Sequence, residues 1–214
     1  SDTVLIPGGR DVRATLDTAA SDGAGGESDE SERAESVVVA CPPHPQQRGH
    51  RGDERLLAAS DALTDRGVDC LRFDYGDWDE GYGETTDADA AVDWARERYD
   101  RVGLFGFSFG GTVALVAAAS QPGLAGVCAL APTARLTPDV DAVAALDDVG
   151  GRGVPVRILY ATRDSTADWE PVVERAEELG IETVAFESDH FFVGRSGAVG
   201  EAAAAFLAPR LADG

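Results

Sequence analysis

Val102-Gly103-Leu104-Phe105-Gly106-Phe107-Ser108-Phe109-Gly110-Gly111-Thr112-Val113 is the stretch that decides how this chain is read. An apolar run of strand length ends at Phe107, a small-residue run of helical character extends from Thr112 to Ala119, and Gly-x-Ser-x-Gly stands between them. A turn this sharp lifts a serine hydroxyl off the end of a strand. It holds its central residue in strained backbone geometry and brings strand and helix so close that the side chains two positions away must be tiny. Gly106 and Gly110 meet that need, which makes Ser108 the candidate nucleophile. In a chain with 25 glycines the bare pattern decides little, and its strand-turn-helix setting gives it weight. The competing reading is a glycine-rich strand-to-helix turn of some other α/β protein.

The chain has only three histidines. Around such an elbow the triad members follow in the order serine, acid, histidine, which sets aside His44 and His50 and leaves His190 as the base. Ser188-Asp189-His190-Phe191-Phe192 follows the apolar run from Ile181 to Phe186, so His190 falls on a loop at a strand end, where catalytic residues are commonly presented. The acid belongs between the two, beyond another strand. Val154 to Ala161 is strongly apolar and Asp164 follows it, which makes Asp164 the choice. Asp168 is the competitor, but the segment from Ala167 to Leu179 has helical character and a helix-starting Pro171, so Asp168 reads as a cap.

With these residues placed, the chain resembles the α/β-hydrolase superfamily, and within it the small, lidless, dienelactone-hydrolase-like esterases. The resemblance covers roughly residues 36 to 210. It rests on Pro43-His44-Pro45 after the run Val37 to Cys41, on Leu71-Arg72-Phe73-Asp74-Tyr75-Gly76, on the elbow, on Asp164 and on Asp189-His190-Phe191-Phe192. It implies an oxyanion hole made of two backbone amides, that of Gln46 after the His-Pro pair and that of Phe109 after the nucleophile. This chain departs from the pattern in two places. Relatives often carry paired glycines shortly after His-Pro, where this chain reads Gln46-Gln47-Arg48-Gly49-His50, and dienelactone hydrolases proper use cysteine where this elbow has serine.

The remaining apolar and helical runs predict strands near residues 3–6, 12–16, 36–41, 68–73, 102–107, 125–130, 155–161 and 182–186, and helices near 54–66, 85–99, 109–120, 168–179 and 197–211. Their alternation reads as a doubly wound, mostly parallel α/β sheet with helices on both faces, in a single domain over 1–214. Only about twenty residues separate Ala131 from Gly153, where larger relatives insert a lid, so no lid domain is expected. Thr18 to Ser36, rich in Gly, Ser and acidic residues, reads as an exposed loop.

Of the aromatics near the catalytic edge, Phe107, Trp78 and Phe191 are read, with His44, as lining the substrate pocket, while others belong to the core. Asp74, Asp77, Asp79, Glu80 and Glu84 form an acidic loop whose spacing is not that of a calcium loop; it reads as solvated surface, and no metal is expected. Cys41, Cys70 and Cys128 fall in apolar runs and read as buried small hydrophobes. Their odd number and lack of paired spacing point to a reducing compartment, here cytoplasmic. No apolar stretch approaches the roughly 18 residues of a membrane span, so no membrane partner is expected. The sequence makes no statement on oligomeric state. The expected chemistry is acyl transfer from a small soluble ester or lactone to water without a cofactor, with two rivals open: an acyltransferase using the same residues, and a non-catalytic binding module.

Charge is the second strong signal. The chain has 39 acidic residues against 18 basic ones, all arginine, for a net charge of −21. No basic patch exists to contact phosphates, so nucleic acid is not an expected partner. A surface that binds a basic partner needs a localised acidic cluster, whereas here acids recur in every exposed segment, a pattern that resembles proteins of salt-loving organisms. Like charges on a small globule repel one another, and at about 1 M salt the screening length falls to roughly 3 Å. Thermal stability is therefore expected to climb as KCl rises from millimolar to molar. Melting curves across that range check it, and a level or falling midpoint would favour the basic-partner reading.

Overall fold

The computed structural model describes residues 1–20 and 34–212. Most of the acidic segment expected as an exposed loop, residues 21–33, lies outside the described residues.

The interior is built on strands with two buried faces. Strand β3 (Ser36–Cys41) is buried along its whole length, and its alternation splits cleanly. Val37, Val39 and Cys41 enter one apolar core, Val38 and Ala40 the other. Each fully buried valine of this kind contributes about 1.5–3 kcal/mol relative to exposure. β3 is flanked in parallel by β4 (Asp69–Asp74) on one side and β5 (Arg101–Phe107) on the other. β6 (Val127–Leu130), β9 (Val156–Ala161) and β10 (Glu182–Phe186) extend the parallel run beyond β5. β1 (Asp2–Ile6) and β2 (Val12–Asp17) form an antiparallel hairpin that joins β4 at the far edge, giving the order β1-β2-β4-β3-β5-β6-β9-β10.

Six helices cover this mostly parallel sheet among the described residues. On one face, α1 (Glu54–Thr64) packs against α6 (Ser196–Ala212). On the other lie α2 (Tyr82–Arg96), α3 (Phe109–Ser120), α4 (Ala142–Gly151) and α5 (Glu170–Glu178). None of the described helices is long and apolar enough to cross a membrane.

Where the sequence left only a short connection after Ala131, the structure has a two-stranded ribbon, β7 (Arg135–Thr137) with β8 (Val140–Asp141), followed by α4. The signal for α4 was present: Ala142, Ala145, Leu146 and Val149 recur at helical spacing and are the residues it buries, and the Asp141 carboxylate accepts from Ala144 N–H at 3.0 Å as an N-cap. The segment is short and ends in Gly150-Gly151, which masked it. α2 begins at Tyr82, three residues before the expected start, because Glu84 closes its first turn: one carboxylate oxygen accepts from Asp79 N–H and the other from Gly81 N–H, both at 2.8 Å.

The α1–α6 contact depends on Gly200, where a Cβ would overlap the backbone carbonyl of Ala58. Gly200→Ala gains about 1 kcal/mol of helix propensity, whereas overpacking against rigid backbone costs about 1–3 kcal/mol. The denaturant midpoint is therefore expected to fall, and a rise would mean that the two helices separate freely.

Candidate active site

The elbow has the strained geometry its sequence implies. Ser108 sits at φ 57° and ψ −120°, and its N–H donates to the Leu130 carbonyl at 2.8 Å, tying the turn to the end of β6. A Cβ at Gly106 would overlap the Gly110 carbonyl, and one at Gly110 would overlap the carbonyls of Cys41 and Pro42. No side chain larger than hydrogen fits at either place.

Ser108, His190 and Asp164, far apart in sequence, form one hydrogen-bonded chain. Ser108 Oγ lies 2.8 Å from His190 Nε2, and His190 Nδ1 lies 2.6 Å from Asp164 Oδ2. A carboxylate only accepts, so Nδ1 carries the proton and Nε2 presents its lone pair to the serine hydroxyl. The Asp164 side chain is fully buried and that of His190 is 4% exposed, while Ser108 is partly open to solvent. Asp164 Oδ1 accepts from the N–H groups of Thr166 and Ala167 at 2.8 and 2.9 Å, so both of its oxygens are satisfied despite burial. The two loops involved are joined beyond the sheet edge: Thr162 N–H donates to Phe186 O at 2.9 Å and Arg163 N–H to Ser188 O at 3.1 Å.

Asp168 is not brought to this chain. α5 starts at Glu170 with Trp169 in the N-cap position and no side-chain cap, so Asp168 is also not the cap the sequence indicated; it is exposed, and its backbone binds Thr133 and Ala134 instead.

Phe107 and Phe109 leave Ser108 toward opposite faces of the sheet. Phe107 packs 5.3 Å from the His190 ring, whose other neighbour is Phe191, half exposed. Phe109 packs against His44 at 4.9 Å, and Trp78 stacks on His44 at 4.7 Å. Burial lowers the His44 pKa, against an opposing pull from Glu84, and the neutral ring accepts the Gln46 N–H on Nδ1 at 3.2 Å. The Phe109 N–H opens α3, where the first amides have no acceptor within the helix. Glu84 is fully buried rather than part of a solvated acidic surface, because it caps α2. Among the described residues no cluster of three or more His, Cys, Asp or Glu side chains is placed to hold a metal ion.

Comparison with known proteins agrees with this architecture. A solved structure from Xanthomonas campestris, described as a member of the α/β serine hydrolases without a lid, superimposes over 100% of this chain and 96% of its own with a TM-score of 0.79 at 22% identity. This chain has the α/β-hydrolase fold. Est1E from Butyrivibrio proteoclasticus covers it over 100% of both chains with a TM-score of 0.78 at 19% identity. A family model for X-Pro dipeptidyl-peptidase (S15 family) matches residues 73–144, which include the elbow. An uncharacterized protein of Rickettsia prowazekii is 24% identical over 174 residues, 73% of this chain and 71% of the relative.

Within this hydrolase fold the sequence reading missed Asp53, Arg55 and Thr166, which line the cavity in front of Ser108 together with His44, Phe107 and Phe191. Arg55 lies over the Phe107 ring at 4.6 Å and donates to Phe191 O at 3.2 Å. These contacts span 52 and 136 residues of chain and leave no local pattern to find. The cysteines are remote from this chemistry. All three are buried, and burial pushes the thiols of Cys70 and Cys128 up to about 12 and that of Cys41 higher still. The native protein is accordingly expected to show no fast reaction with a thiol reagent at pH 8, and three thiols once unfolded; rapid native labelling would show that the core opens.

Proposed function

We propose that this protein hydrolyses small, soluble carboxylic esters or lactones through an acyl-enzyme on Ser108. The observation that carries the reading is the continuous chain from Ser108 Oγ through His190 to the buried Asp164. In the proposed cycle the Nε2 lone pair of His190 takes the Ser108 proton as Oγ attacks the substrate carbonyl. Asp164 holds the Nδ1 tautomer and stabilises the imidazolium that forms. His190 then returns the proton to the leaving alcohol, and a water activated by the same nitrogen releases the acid.

The amides of Phe109 and Gln46 are the proposed donors to the oxyanion. Phe109 N–H stands at a helix N-terminus, a favourable place for developing negative charge. Gln46 N–H is donated to His44 Nδ1, so its participation requires it to leave or share that acceptor. His44, Phe107, Trp78 and Phe191 are proposed to contact the substrate.

An ester is favoured over a peptide with a free N-terminus by the charge of the cavity. Among the described residues its one lining carboxylate, Asp53, is already paired with Arg55 at 2.7 Å and is not available to hold an ammonium group. Ferulic acid, seen bound to Est1E, is a carboxylic acid of the type an ester hydrolase releases.

Ser108→Ala and His190→Ala are each expected to lower kcat by about 10⁴ to 10⁶, because the members of such a triad act as a unit. Asp164→Asn is expected to cost about 10⁴ through the wrong histidine tautomer, and Asp168→Asn little. Steady-state rates on short-chain esters check the series, and a fluorophosphonate probe should label Ser108. Retained activity in Ser108→Ala would remove the assignment, and damage from Asp168→Asn in place of Asp164→Asn would move the acid.

A further inference from the structure

The β1–β2 hairpin lies at the far edge of the sheet and supplies none of the triad, yet one of its side chains reaches the loop that carries Trp78. Arg10, at the hairpin tip, donates Nη2–H at 2.6 Å to the Asp77 carbonyl, the peptide group that leads directly into Trp78. Its Nε–H and Nη2–H also meet the two carboxylate oxygens of Asp87, on α2, at 2.7 and 3.3 Å. Asp87 Oδ2 in turn accepts the Gly76 N–H at 3.0 Å. The Arg10–Asp87 pair therefore grips the backbone at both Gly76 and Asp77. Two glycines make room for it: a Cβ at Gly83 would overlap the Arg10 guanidinium, and one at Gly76 would overlap the Arg10 carbonyl.

This grip is set into the interior, with the Asp87 side chain 1% exposed. Burial raises the Asp87 pKa, and Arg10 and the Gly76 N–H oppose that shift, so the carboxylate relies on them to stay charged. Trp78 makes no hydrogen bond of its own to the described residues. Arg10 fixes the backbone before it, and Glu84 fixes the backbone after it by accepting from the N–H groups of Asp79 and Gly81. The Trp78 ring then stacks on His44 at 4.7 Å and lies 5.8 Å from Phe109, and His44 Nδ1 holds the Gln46 N–H. A chain of contacts thus runs from the hairpin tip through Arg10, Trp78 and His44 to the amide proposed as the second oxyanion donor.

We infer that Arg10 is a positioning residue for the reaction: it fixes Trp78 against His44 and thereby sets where the Gln46 amide stands relative to Ser108. This rests on the ester-hydrolase reading and gives the first hairpin a part in it. Arginine suits the task because one planar guanidinium serves the Asp87 carboxylate and the Asp77 carbonyl together, whereas a lysine ammonium is a point charge on a flexible stem. Small displacements matter at such a place, since a misplacement of about 1 Å arising far from the chemistry can cost about 100-fold in rate.

Arg10→Ala would strand the Asp87 charge in the interior and mix a local effect with a global one, so the test uses Arg10→Lys, which keeps the charge. The first readout is the set of indole N–H resonances of the three tryptophans in the NMR spectrum of the folded protein, that of Trp78 assigned by its loss in Trp78→Phe. In Arg10→Lys the Trp78 resonance is expected to shift or broaden. Those of Trp94, under Arg98, and Trp169, stacked on Tyr160, are expected to stay in place. The second readout is a double-mutant cycle on a short-chain ester. Arg10→Lys should lower kcat about tenfold with KM little changed, and adding it to Trp78→Ala should lower kcat no further, because the two residues act along one chain of contacts. An unmoved Trp78 resonance, an unchanged kcat, or losses that add in the double variant overturns the positioning role; additive losses are the mark of an arginine that acts on the fold alone. A Trp78 resonance that moves in a protein that hydrolyses no ester in any version would keep the contact chain and reject the proposed reaction.

Discussion

Three backbones meet without intervening side chains at Gly106 and Gly110, and the rest of the site depends on that contact. The end of β5, the start of α3 and the end of β3 touch there at distances that admit no Cβ. The same approach that lifts Ser108 out of the sheet therefore brings the loop after β3 against it. Tyr75 fixes that loop from below by donating its O–H to Pro42 O at 2.9 Å. The Phe109 ring fills the space between His44 and Tyr75, so the segment expected to contribute an oxyanion amide is held by the elbow's own neighbour.

The acid and the histidine are placed by a different device. β9 and β10 are adjacent and parallel, so the loops that follow them emerge side by side at one edge of the sheet. Backbone hydrogen bonds join the two loops, and Phe192 anchors the second by entering the core beneath Phe107 and Phe186. Burying a carboxylate is costly unless it is fully hydrogen-bonded. Asp164 meets that condition with two backbone amides and an imidazole, which also leaves it one orientation toward His190. A buried, singly oriented acid is what a histidine of fixed tautomer needs.

Charge is distributed in two layers. Acids dominate the outside, and several of the arginines are used inside: Arg72 with Asp17, and Arg10 with Asp87 and the Asp77 carbonyl. Arg10 thereby ties the tip of the first hairpin to the loop that carries Trp78, and Glu84 holds the other end of that loop. Arg55 plays an equivalent part over the Phe107 ring, joining Asp53 to the Phe191 carbonyl. The arginines near the site thus act mainly as struts between loops, and Arg48, without such a partner among the described residues, stands apart from them.

Much of this was legible in the chain by itself. Runs such as Ser36–Cys41 and Arg101–Phe107 declare themselves because strands buried on both faces need apolar residues at every position, and the elbow declares itself because its geometry tolerates only glycine at two places. Ser108, His190 and Asp164 could be singled out because histidines are few and both partners follow recognisable strands. Tertiary structure alone decided the rest. The fate of Asp168 turned on a helix that starts one residue later than a cap there would require. α4 lay hidden in a short segment whose helical spacing needed a neighbouring face to give it meaning. Arg55 reaches Phe107 and Phe191, and Arg48 reaches the cavity, through contacts set by how strands and loops pack, not by any pattern along the chain. Local periodicity records what a segment buries, whereas a site is made where distant segments converge, and only the packed backbone fixes that convergence.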